Sequence, residues 1–126
     1  PAGKLLDKML ASVNLDRKDV YIANIVKCRP PGNRDPHEDE QEACMNYLRY
    51  QLTLVKPKII VCLGRVAATA IIDKNFKITK EHGEWVERKG YWITATYHPS
   101  ALLRDETKKR PAWEDLKAIR AKLDEL

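Results

Sequence analysis

Apolar residues recur along this chain at two spacings. Leu5, Leu6, Met9, Leu10 and Val13 share one face at helical spacing, which predicts a helix from Pro1 to near Asn14, with a polar turn at Asp16 to Asp19. Val20 to Val26 and Lys58 to Leu63 are β-branched and apolar on both faces, as buried parallel strands are, and Tyr91 to Thr96 is a third such run. Between them, Lys27 to Pro36 holds three prolines and a glycine and reads as a loop. His37 to Val55 reads as a helix whose acidic start (Glu38, Asp39, Glu40, Glu42) suits the positive end of its dipole. Gly64 leads into a small-residue helix, Arg65 to Ile72. Phe76 to Gly90 is irregular, with short strands expected around Ile78 and Trp85 to Val86; Tyr97 to Pro111 is a loop, and Trp113 to Leu126 a last helix. Helices alternating with buried strands predict an α/β domain with a mostly parallel sheet.

Length and composition narrow the classes. The 126 residues suit one domain, 1–126, with no repeat or linker, and 44% hydrophobic against 33% charged residues suits a buried core. The longest apolar run, Ile59 to Leu63, is a strand's length and far from the ~20 residues of a membrane span. No basic segment leads into an apolar one, so no secretory signal is expected. Three cysteines are too few for a secreted disulfide framework and predict a reducing, cytoplasmic setting. The net charge of +5 leans mildly towards a polyanionic partner. The chain opens at Pro1, almost at once in a helix, and only three solid strands are legible; both features predict further residues upstream.

Ligands of open α/β sheets sit beyond the carboxyl ends of the strands. Asn24 stands near one such end. Its carboxamide offers the donor and acceptor that a nucleobase edge requires, although position alone fits a turn cap better. Cys28 and Cys44 are separated by fifteen intervening residues and can share a metal or cluster, but two ligands are half a site; His37 is a candidate third ligand for zinc, or an exposed loop residue. Cys62, inside an apolar strand, reads as a small hydrophobe. The run Tyr97-His98-Pro99-Ser100-Ala101-Leu102-Leu103-Arg104 sets a histidine at a strand end, where it suits an acid, base or electrostatic stabiliser. Its paired leucines and arginine suit a wedge into a base stack; which leucine points outward is open. Gly3-Lys4 is not a phosphate loop, because Leu5 stands where Ser or Thr must hold magnesium, and Ser100 has no nucleophile elbow around it.

Ala2 to Leu6, Tyr21 to Arg34, Cys44, Leu63-Gly64-Arg65 and Tyr97 to Arg104 occur in order. Together they resemble the thermostable iron–sulfur uracil-DNA glycosylases, the fourth family of that superfamily, over nearly the whole chain. The resemblance implies a three-layer α/β/α sandwich around a mostly parallel central sheet, incomplete here at its amino terminus. It implies a 4Fe–4S cluster held by four cysteines, two of them upstream and two matching Cys28 and Cys44. That cluster is structural and complete only in the intact protein. The family's Gly-Glu-x-Pro-Gly motif, with its acidic residue, and its stacking aromatic have no match here, so low activity is expected of this chain alone.

By the same resemblance His98 stabilises negative charge on the departing uracil, and Asn24 reads the uracil edge. Leu102, Leu103 and Arg104 fill or brace the gap left by the flipped base, and Ser100 offers its hydroxyl or backbone N–H to a phosphate. The partner is uracil-containing DNA, with no membrane and a monomeric chain. Two other readings remain: a DNA-binding module without catalysis, and a zinc-stabilised domain built on Cys28, Cys44 and His37.

Overall fold

The computed structural model describes residues 2–22, 46, 49–88 and 90–126. Helix α1 (Ala2–Ser12) is followed by a tight turn at Arg17–Asp19, where Asp16 and Asp19 cap each other's backbone. Residues 49–55 are helical (α2). Strand β1 (Ile59–Leu63) leads through Gly64 into α3 (Arg65–Ile71). The one-turn helix α4 (Ile78–Glu81) precedes β2 (Val86–Arg88), and then come β3 (Tyr91–Thr96), α5 (Pro99–Arg104) and α6 (Lys109–Glu125).

The three described strands form one sheet in the order β1-β3-β2. β1 and β3 are parallel, with Leu63 opposite Thr96, and β2 is antiparallel to β3. Side chains alternate across a strand, so each face of this sheet has its own core. Ile60, Cys62, Ile93 and Ala95 face Ala68 of α3 and Phe76. On the opposite face, Val61 lies under a cluster of Met9 and Val13 with Leu102, Ala112, Leu116 and Ile119, contributed by α1, α5 and α6. Helices on both faces make the expected α/β layering.

Some expectations change in detail and others fall outside the described residues. The sheet is mixed among the described residues, since its third strand is the antiparallel β2, close to the strand anticipated at Trp85 to Val86. The strand expected at Val20 to Val26 and the loop at Lys27 to Pro36 lie outside the described residues, except Val20 to Ile22, which are not in a strand. The start of the His37 to Val55 helix also lies outside them, while residues 49–55 agree with its end. Ile78 opens a helical turn rather than a strand.

The Tyr97 to Pro111 loop is instead largely helical, and α6 begins at Lys109, before Trp113. The physical reason is where the prolines fall. Pro99 takes the first position of α5 and Pro111 the first turn of α6, where no intrahelical N–H bond is lost and the fixed φ favours the helix.

Candidate active site

The parallel pairing of β1 and β3 brings their carboxyl ends side by side, and the chain leaves them at Gly64 and at Tyr97-His98. The Gly64 backbone N–H donates to the Thr96 carbonyl at 2.9 Å, extending the ladder by one bond past the strand. Gly64 holds φ at +88°, and a β-carbon built on it would stand 3.0 Å from Cβ of His98. A side chain here would be strained and crowded, so glycine lets the two strand ends close on each other.

His98 is both the last residue off the strand and the N-cap of α5. The Ser100 backbone N–H donates to His98 Nδ1 at 3.0 Å. A ring nitrogen that accepts from an N–H cannot carry a proton itself, so in the neutral imidazole the proton sits on Nε2, which is the donor. Pro99 presets the helix that supplies this cap. The sequence therefore delivers a half-buried imidazole whose Nδ1 is engaged by the backbone N–H two residues on.

Helix α5 separates its candidate residues by face. Leu102, expected among the DNA-contacting residues, is 2% exposed and packs in the core with Met9, Val13 and Leu116. Leu103 is 48% exposed and Arg104 is exposed in the last turn. Ser100 is half-buried; its N–H is engaged by His98, which leaves its hydroxyl as the group of this residue that suits a phosphate. Asp105 ends the helix and caps the next turn, and hydrogen bonds from Thr107 hold its carboxyl below the usual range.

Asn24, Cys28, His37 and Cys44 lie outside the described residues. Cys62 is buried in β1 as expected, and burial pushes its thiol up to about 12, which makes it inert. Among the described residues no group of three or more His, Cys, Asp and Glu is placed to hold a metal, and no helix is long and apolar enough to cross a membrane.

Two features escaped the sequence reading. One is the Gly64 contact, hidden because strand pairing decides it. The other is Asp115, on the same face of α6 as the buried Ala112, Leu116 and Ile119. An acid at a core-facing helical position is a legible signal, since a buried charge must be partnered. Its partners are Thr96 and His82.

Comparison with known proteins bears on what this strand-end histidine belongs to. The chain is 47% identical over 126 residues to a type-4 uracil-DNA glycosylase of Archaeoglobus fulgidus, covering 94% of this chain and 63% of that protein. It is 45% identical to one from Sulfurisphaera tokodaii, with 94% and 58% covered, and 40% identical to one from Thermotoga maritima, with 95% and 65% covered. The chain thus spans about three fifths of the length of these relatives. The model of the uracil DNA glycosylase superfamily matches residues 1–117. With that match over most of its length, the chain belongs to the uracil DNA glycosylase superfamily.

Proposed function

We propose that this chain carries the base-releasing part of a type-4 uracil-DNA glycosylase site, and serves DNA repair by hydrolysing the bond between uracil and its deoxyribose. The observation that carries the reading is His98 at the paired ends of β1 and β3, with its Nδ1 accepting from the Ser100 backbone N–H.

The target base must leave the helical stack to be reached. The C1′–N1 bond then breaks with its electron pair passing to the base. The sugar gains cationic character, negative charge spreads onto the uracil carbonyl oxygens, and water completes the reaction at C1′. A neutral imidazole that donates from Nε2 to a uracil carbonyl stabilises this charge as it grows. It does so without itself giving up a proton, and most strongly near the transition state. The Ser100 cap holds the ring ready, so no tautomer change is needed during the reaction.

Asn24 reads the N3–H and O4 edge of uracil. Cytosine presents the opposite pattern and would leave buried polar groups unpaired, at about 1–3 kcal/mol each. Leu103 occupies the gap left by the flipped base, and Arg104 with the Ser100 hydroxyl braces the backbone phosphates. Cys28 and Cys44 supply two of the four thiolates of the family's 4Fe–4S cluster, whose part is to tie segments together.

Measured on a full-length version, single-turnover uracil release and affinity for uracil-containing oligonucleotide test this reading together. His98→Ala should lower the rate on the order of 10²–10³, about 2.7–4 kcal/mol, with DNA affinity nearly unchanged. His98→Asn should keep part of the rate through its amide donor. Unchanged chemistry with weakened DNA binding would leave a DNA-binding module without catalysis.

A further inference from the structure

A buried polar junction lies behind the His98 strand end. Asp115 of α6, its side chain 9% exposed, receives two hydrogen bonds on the same carboxylate oxygen. Thr96 donates from Oγ1 to Oδ2 at 2.6 Å, and His82 donates from Nδ1 at 2.7 Å. Thr96 is wholly buried and stands two residues before His98.

The segment after α4 is laid against the same strand. Gly83 N–H donates to the Ala95 carbonyl at 2.8 Å, and Thr94 Oγ1 donates to the Glu84 carbonyl at 2.8 Å. Gly83, at φ +81°, brings its backbone so near the carboxylate that a β-carbon would lie 2.5 Å from Asp115 Oδ1. The His82 ring rests against Tyr97, with ring centroids 4.9 Å apart, and Tyr97 directly precedes His98. The Tyr97 phenol is pushed up by burial and then by the Asp115 and Asp105 carboxylates.

An apolar residue at position 115 would pack between Leu116 and Ala112 without the cost of desolvating a charge. Apolar contact is non-directional, however, whereas two short bonds to one oxygen fix both distance and angle. The residues that Asp115 holds are Thr96 on one side of Tyr97-His98 and the ring that supports Tyr97 on the other.

We propose that Asp115, acting through Thr96 and His82, is a positioning residue for His98: it locks the carboxyl end of β3 so that the imidazole meets the Ser100 cap and the bound base at one orientation. The proposal rests on the reading of His98 as the group that stabilises the departing base. Asp115 itself touches no substrate.

Asp115→Ala, which leaves no acceptor, and the isosteric Thr96→Val break the junction, while Thr96→Ser keeps the hydroxyl. Three readouts apply to each: thermal midpoint, the ¹⁵N chemical shifts of the His98 imidazole, and single-turnover uracil release. Wild type and Thr96→Ser should show the single Nε2–H pattern. Asp115→Ala and Thr96→Val should show averaged nitrogen shifts and a rate lower by about 10- to 100-fold, the scale set by small misplacements, with DNA affinity unchanged. Folded variants with a lower midpoint but unaltered His98 shifts would overturn the proposal and leave the junction a purely structural one. If Asp115→Ala does not fold, the Thr96→Val and Thr96→Ser pair decides. If a full-length wild type releases no uracil, the functional reading fails, and the imidazole shifts still decide the positioning.

Discussion

Gly64 and His98 lie 34 residues apart in sequence, yet a single methyl group on Gly64 would press against the His98 β-carbon at 3.0 Å. The contact follows from the pairing of Leu63 with Thr96, which sets the next residue off β1 beside the second residue past β3. Glycine is the residue that both accepts φ of +88° and leaves the imidazole its place.

Gly64→Ala should therefore cost stability and displace His98 together. A non-glycine residue at positive φ costs about 1–3 kcal/mol. Denaturant unfolding should show that loss, and the His98 imidazole resonances should shift. The double variant with His98→Gly removes the clashing β-carbon, so its loss should be smaller than the sum of the two single losses. Additive losses would mean that backbone strain alone acts at Gly64.

Leu102 and Leu103 should part company. Leu102→Ala opens a cavity among Met9, Val13 and Leu116 and should destabilise by about 2–5 kcal/mol. Leu103→Ala should change stability by no more than about 0.5 kcal/mol, as exposed substitutions do. In a full-length version it should instead slow uracil release from duplex more than from single-stranded DNA, because only the duplex needs its gap filled. Equal slowing on both substrates would remove the wedge role from Leu103.

Cys62 predicts an alkaline limb of stability. Its folded thiol ionises near 12 against an ordinary 9.0, because burial disfavours the thiolate. Below the ordinary value both states hold the proton, so the favourable difference is intact. As pH rises from there towards 12, the unfolded chain loses its proton first and stability falls, by roughly 4 kcal/mol in all. Cys62→Ala should flatten that limb when unfolding free energy is followed against pH. In the folded protein at neutral pH, peptide mapping should find Cys62 unmodified by iodoacetamide; rapid labelling would contradict the burial.

How far the sequence carried the reading depends on the range of the interactions involved. Strands β1 and β3, helix α3 and the strand-end position of His98 were legible because apolar runs and their bounding glycine and prolines are local signals. The family itself was legible, since Lys27 to Arg34 and Tyr97 to Arg104 are specific strings. The helix α5 was missed because a proline reads as a breaker until its place in a first turn is known, and α4 because its four residues are too few to show a helical period. Only the folded arrangement put Leu102 inward and Leu103 outward, since adjacent positions on a six-residue helix have no periodicity to separate them. Gly64 against His98, and Asp115 beneath Thr96 and His82, are contacts between elements distant in sequence. Strand register and helix packing decide them, and neither is written in any one segment of the chain.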